Sequence, residues 1–358
     1  MSKKDVLEIG VSEFVTKVAN PYFTLREDFS DVSITKDFLS SSIEFAVKNK
    51  VFPLFYEGCL KLGIRLPKEA DLLMDEYERR WRMQIEEMGS LLDISEKLGI
   101  EIMIFKTFKP FRYIPDDVDI LLRHEKDLYP LITKLGEKGY FILKIGTPEV
   151  VLRKIGKGGA YVDLDIHTRL AIGYLDVFRV EDLWRTQAYE RFKLENKWIA
   201  FKLSEDYEVV REAAYALLKD FNLSIPGLYF AIHALMKRDI RKIEKIAVRS
   251  NFYLPLVIYL YSAQNLTHKL FNFDVDLQLQ FNKRFISTMP LRIIESEISR
   301  EFRVPYPYPV SVIAWAYMSK TWLEISRNRN LKVLGQVIKQ PSSKGIGILL
   351  NYLRERFK

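Results

Sequence analysis

The segment Asp116-Asp117-Val118-Asp119-Ile120-Leu121-Leu122 carries acidic side chains into an otherwise apolar strand. Alternate side chains of a strand share a face, so Asp117 and Asp119 point the same way, their attachment points about 6.5 Å apart. Val118 and Ile120 then face the core. Two carboxylates converging at that spacing can hold a divalent cation, because magnesium takes hard oxygen donors. Without a cation they repel each other. Downstream, Tyr161-Val162-Asp163-Leu164-Asp165-Ile166-His167 places Val162, Leu164 and Ile166 on one face and Asp163, Asp165 and His167 on the other. A solvent-facing edge strand shows the same alternation, so a metal site and a solvated surface are both open at this point.

Several elements must position these strands. A long amphipathic helix is expected from Lys68 to Leu98, with Leu73, Tyr77, Trp81, Ile85, Met88 and Leu92 on one stripe and Gly99 as its stop. The apolar run Ile100 to Phe105 reads as a buried strand, Val118 to Leu122 as the next, and Glu125 to Glu137 as a helix closed by Gly139. Tyr140 to Ile145 continues as a strand. Val150 to Ile155 and Ala160 to Arg169 flank a glycine-rich turn and read as an antiparallel hairpin. Before residue 99 and beyond Glu205 the pattern is helical, with segments at Tyr207 to Lys219, Pro226 to Arg249 and on to Lys358. Pro305, Pro307 and Pro309 mark a non-helical link. The expected organisation is therefore a helical region 1–98, an α/β module 99–203 and a helical region 204–358.

The chain of 358 residues, 48% of them hydrophobic, can bury a sizeable core, which excludes a disordered protein. Its formal charge of +8 permits polyanionic partners without requiring them. The lone Cys59 excludes a disulfide framework or a paired-cysteine zinc site, implies no disulfide-linked partner, and fits a reducing compartment. The mixed segment after Met1 and the shortness of runs such as Leu254 to Tyr261 predict a soluble, cytoplasmic protein with no membrane partner. Lys154-Ile155-Gly156-Lys157-Gly158-Gly159 lacks the spacing of a phosphate-binding loop and reads as a turn. Asp116, after Pro115, reads as a turn residue, and His124, His233 and His268 as structural.

The run from Val47 to Leu170 resembles the uncharacterised nucleotidyltransferase families of the DNA-polymerase-beta superfamily. The resemblance rests on Ile104-Phe105-Lys106-Thr107, Asp117-Val118-Asp119-Ile120-Leu121-Leu122, Gly139-Tyr140 and Asp165-Ile166-His167, in the family's order and spacing. Val51-Phe52-Pro53-Leu54-Phe55-Tyr56 and the segment from Ala213 to Asp220 also look like family segments. It implies an α+β fold, a small mixed-sheet nucleotidyltransferase core flanked by helical N-terminal and C-terminal regions. It also implies that Asp117, Asp119 and Asp165 bind two Mg2+ (or Mn2+) ions and move a nucleoside monophosphate from an NTP to a hydroxyl on RNA, a protein or a small molecule. Asp165 holds the family's ligand position in preference to Asp163, and His167 is expected to orient a carboxylate or touch the substrate. Lys106, Thr107, Lys109 and Arg112 are expected around the triphosphate, with Thr107 standing where the family has glycine. That departure keeps open a non-catalytic nucleotide- or RNA-binding protein of the same fold, beside a helical RNA-binding or scaffold protein whose acidic strands are only surface.

For the acceptor, Arg238, Arg241, Lys242, Lys245 and Arg249 recur at three- and four-residue steps, with Ile240, Ile243 and Ala247 on the neighbouring stripe. One face of that helix is then basic. It is either a solvated face or a track for a nucleic-acid backbone.

Overall fold

The computed structural model describes residues 10–23, 34–146, 149–156, 159–172, 175–195, 197–273, 288–300 and 303–328. The expected helical stretch over 329–358, the segment after Met1, and Lys157 and Gly158 of the hairpin turn lie outside the described residues.

Four helices lead in: α1 (Val11–Val18), α2 (Lys36–Lys48), α3 (Phe52–Lys61) and α4 (Lys68–Leu98). The last has the bounds its periodicity predicts. Glu69 and Asp71 lie in its first turn and Lys97 in its last, favourable against the helix dipole, and Gly99 ends it in the left-handed conformation at φ 65°. The chain then enters β1 (Ile102–Phe105), β2 (Asp117–Leu122), α5 (Leu128–Gly136) and the strands β3 (Phe141–Ile145), β4 (Glu149–Ile155) and β5 (Tyr161–His167). There follow β6 (Leu170–Ile172), β7 (Leu175–Phe178), α6 (Val180–Arg185), β8 (Tyr189–Leu194) and β9 (Trp198–Leu203).

The main sheet is seven-stranded in the order β3-β4-β5-β2-β1-β9-β8. It is mixed: β2 runs parallel to β5 and antiparallel to β1, β9 runs parallel to β1, and β4 and β5 form the expected antiparallel hairpin. Both faces of its centre are covered. Val118, Ile120 and Leu122 of β2, with Val162, Leu164 and Ile166 of β5, pack with Ile85, Met88, Leu91 and Leu92 of α4 and Leu131 and Leu135 of α5. On the other face Met103, Phe105 and Leu121 join a larger apolar cluster with the flanking helices. Burial on both sides explains why β1 reads as an unbroken apolar run.

The remaining elements are α7 (Glu205–Leu218), β10 (Asn222–Leu223), α8 (Ile225–Lys237), α9 (Ile240–Arg249), α10 (Tyr253–Phe271), α11 (Thr288–Arg300), β11 (Tyr306–Pro307) and α12 (Val310–Asn328). The proline-marked link holds β11, which lies between α11 and α12 and pairs with β10. The single helix expected from Pro226 to Arg249 is two. Asp239 caps α9 by accepting from the amides of Arg241 at 3.0 Å and Lys242 at 3.4 Å, and Arg238 before it is extended. An aspartate N-cap starts a new helix there because it satisfies amides that have no intrahelical partner.

Helices from both ends of the chain share one core: the Tyr229 hydroxyl of α8 donates to the Thr16 carbonyl of α1 at 2.6 Å. The class is α+β with a mixed sheet. No helix among the described residues is long and apolar enough to cross a membrane, and Cys59 is a buried free thiol.

Candidate metal centre

The parallel pairing of β2 and β5 sets Asp117 opposite Asp163, Asp119 opposite Asp165 and Leu121 opposite His167. Residues in register across a ladder share a face, so both acidic rows lie on the side of the sheet away from α4 and α5. Neither strand is an edge, since β2 is the middle strand and β5 its neighbour. A solvent-facing edge therefore does not explain the carboxylates.

Asp119, Asp165 and His167 each offer a ligand atom within 4.8 Å of the others. Asp119 is 2% and His167 6% exposed. Oδ2 of Asp119 and Nε2 of His167 make no hydrogen bond, although Lys106 Nζ lies 3.0 Å from the former and Asp119 Oδ1 lies 3.3 Å from the latter. Buried polar atoms rarely go unbonded, and the His167 nitrogen grouped with two carboxyls suits a cation ligand. The Phe105 ring, edge-on to the imidazole at 5.1 Å, holds its plane. His167, expected to orient a carboxylate or touch the substrate, stands at ligand distance. Asp117 lies beside the trio rather than within it, on the same strand face.

Lys106 follows β1 with φ 62°, and its amide donates to Glu208 Oε1 of α7 at 2.5 Å. Its Nζ reaches Asp119 Oδ1 at 3.1 Å and Oδ2 at 3.0 Å, and lies 3.8 Å from Asp117 Oδ1. The left-handed residue of this turn is the lysine itself, so Thr107 does not need the freedom of glycine. Thr107 is fully buried. Its hydroxyl accepts from the Asp119 amide at 3.2 Å and donates to the Phe105 carbonyl at 3.1 Å, tying the turn to β2.

The other side chains expected at the triphosphate are engaged elsewhere. Lys109 is buried, 3.0 Å from Glu212 and over the Phe230 ring, and Arg112 pairs with Glu57 of α3 and Glu78 of α4. Both side chains brace helices against the turn, a role that close acidic partners dictate. Asp163 is held by Arg153 in a two-pronged pair at 2.7 Å, which leaves Asp165 as the carboxyl of β5 facing the cluster.

Burial, then the charges of Asp117 and Asp119, push the Asp165 carboxyl up to about 7. Asp117 is raised for the same reasons, burial first and Asp119 second. Burial also acts to raise Asp119, but the Lys106 ammonium and His167 outweigh it and hold that carboxyl below its usual range. Burial disfavours the charged form of Lys106, yet Asp119 and Asp117 keep it firmly protonated.

Sequence reasoning missed a charged row on α7. Arg211, 1% exposed, bonds Glu208 at 2.6 Å and Glu212 at 2.7 Å, and these two carboxylates reach Lys106 and Lys109. The signal in the sequence was three charges at one- to four-residue spacing inside the apolar run around Val209, Val210 and Ala213. Of the expected basic stripe, Arg238 turns away to Asp206 and Glu205, and Lys242 pairs with Asp206 at 2.7 Å. Arg241, Lys245 and Arg249 are exposed on α9. Asp116 binds Lys50 and Arg80, and His233 lies 3.3 Å from Glu205.

Compared with known protein families and with curated proteins, the sequence matches none.

Proposed function

We propose that this chain is a metal-dependent nucleotidyltransferase, moving a nucleoside monophosphate from an NTP to a hydroxyl acceptor with release of pyrophosphate. One observation carries the reading: Asp119, Asp165 and His167 offer ligand atoms within 4.8 Å of one another, and the buried His167 Nε2 makes no hydrogen bond. Two carboxylates and an imidazole suit Mn2+ at least as well as Mg2+, because nitrogen donors favour the softer ion. The polymerase-beta-type core, the NTP and a cytoplasmic setting rest on the sequence resemblance and composition.

In this reading Asp119, Asp165 and His167 hold the cation. When bound, the ion neutralises phosphoryl charge and lowers the pKa of the acceptor hydroxyl. Lys106, with one third of its side chain exposed, offers its ammonium to the phosphates. Asp117, made more basic by burial and by Asp119, takes the acceptor's proton. The acceptor oxygen bonds the α-phosphorus as the bond to pyrophosphate breaks. A non-catalytic nucleotide-binding protein is the second reading, favoured by the Thr107 hydroxyl being bonded within the protein and by the pairing of Lys109 and Arg112.

Thermal melting tests for the site as a nucleotide–metal unit. Mn2+ with a non-hydrolysable NTP should raise Tm more than the summed effects of each alone, because shared ligands make the two bind as one. Merely additive shifts would count against both readings.

A further inference from the structure

The resemblance implies two cations on Asp117, Asp119 and Asp165, and the β2–β5 ladder offers two places for them, one between Asp117 and Asp119 and one beside Asp165. In this chain the two places differ. In the one formed by Asp119, Asp165 and His167, the buried His167 Nε2 makes no hydrogen bond and lies 3.3 Å from Asp119 Oδ1. The one between Asp117 and Asp119 already holds the Lys106 ammonium, 3.0 and 3.1 Å from the two oxygens of Asp119 and 3.8 Å from Asp117. We infer that the centre takes a single divalent cation, on Asp119, Asp165 and His167, and that Lys106 Nζ permanently fills the second cation position. The inference rests on the metal-dependent reading above and concerns how many ions it needs.

Three features support a fixed lysine. Its stem starts from a turn pinned on both sides, by the Lys106 amide on Glu208 and by the Thr107 hydroxyl under the Asp119 amide. A metal bridging Asp117 and Asp119 at about 2.1 Å would need the space that the ammonium takes between those two carboxyls. Charge balance points the same way. Asp117, Asp119 and Asp165 with Lys106 leave two negative charges, which one divalent ion cancels. The surrounding charges are already matched: Glu208 and Glu212 by Arg211 and Lys109, Asp163 by Arg153, and Glu149 by Lys144. A second divalent ion would leave the pocket with excess positive charge, a heavy cost where water is scarce.

The ammonium can replace an ion there because the position asks for a fixed positive charge rather than for coordination geometry. It carries half the charge of Mg2+ but needs no dehydration at each turnover, since it reaches the site through the backbone.

The test is Mn2+ stoichiometry on the metal-free full chain, read by electron paramagnetic resonance and by calorimetry, with folding followed by circular dichroism. Wild type should bind one Mn2+ per chain, Lys106→Arg also one, and Lys106→Ala two, the second giving an exchange-coupled Mn–Mn spectrum. Asp117→Asn in the otherwise native chain should keep one Mn2+, with affinity weakened by about 10–100-fold as for the loss of an outer partner, because that carboxyl serves the lysine. This arm decides the matter if Lys106→Ala does not fold. Two ions in wild type would overturn the inference and leave the metal-dependent reading standing. One ion in folded Lys106→Ala, or lost binding in Asp117→Asn, would also overturn it. No Mn2+ in any form would remove the metal-dependent reading itself.

Discussion

Asp119 and Asp165 sit directly opposite each other across the parallel ladder of β2 and β5, deep in the sheet rather than at its rim. Backbone hydrogen bonding fixes their attachment points, so the two carboxyls cannot drift apart to relieve repulsion. A proton on Asp165 or a bound cation relieves that repulsion.

Loss of either carboxyl should therefore abolish cation uptake, whereas loss of the neighbouring one should not. Asp165→Asn is expected to weaken Mn2+ binding by more than about a hundredfold, beyond the loss seen for an outer partner. Asp163→Asn breaks only the pair with Arg153 and should leave the affinity nearly unchanged. Calorimetric titration of both variants checks this. Equal losses would mean that Asp163 and Asp165 have been told apart wrongly.

The proton alternative sets a pH dependence. The Asp165 carboxyl, pushed up to about 7, must lose a proton before it can bind a cation. Mn2+ affinity should rise with pH up to about 7 and level off above it. In chelator-treated protein the folded state holds this proton more tightly than the unfolded chain, whose carboxyl titrates near 3.9. Stability should accordingly fall as pH rises from about 4 to 7, and Asp165→Asn should flatten that slope in Tm.

The buried charges of α7 make a stability prediction of opposite sign. Burial works to raise Glu212, but Lys109 and Arg211 overcome it and bring the carboxyl down to about 2. Its contribution is present above the unfolded carboxyl range and is lost as pH falls from about 4.5 toward 2. Glu212→Gln leaves two buried cations short of a partner and should destabilise by about 3–5 kcal/mol in urea melts. A change below about 1 kcal/mol would show that the network relaxes through solvent.

Local patterns could be read from the sequence; long-range partners could not. Period-two alternation placed Asp117, Asp119, Asp163, Asp165 and His167 on their faces, and the Lys68–Leu98 stripe with Gly99 gave α4 its bounds. The pairing of β2 with β5 was not legible. Which strands meet, and in what register, is decided by the packing of α4 and α5 over the whole sheet. Charged residues in β8 and β9 such as Arg191, Lys193 and Lys202 blurred those strands. The break at Asp239 was hidden because helical periodicity runs on through it, although the aspartate itself was a capping signal. Lys109 and Arg112 were open to a triphosphate reading because their acidic partners, Glu212 and Glu57, are distant in sequence.

The capped helix α9 refines the acceptor question. With Arg238 and Lys242 engaged by Asp206, a nucleic-acid backbone would meet Arg241, Lys245 and Arg249. Replacing these three with glutamine should weaken RNA binding and lower its log–log salt slope by about 0.7 for each phosphate that the helix no longer neutralises. Nucleotide binding at the β2–β5 centre should be untouched. Filter binding across a salt series separates the outcomes, and an unchanged slope would point to a small-molecule or protein acceptor.

The most direct measurement is nucleotide transfer itself. The full chain is incubated with each α-labelled NTP, Mn2+ or Mg2+, and total cellular RNA or protein, with Asp119→Asn as the matched control. Metal-dependent incorporation of label with pyrophosphate release is expected, reduced by about a hundredfold or more in the variant, whose strand keeps its buried Val118 and Ile120. Incorporation at the wild-type rate in Asp119→Asn, or none from any NTP by a wild-type chain that binds the metal, would contradict it.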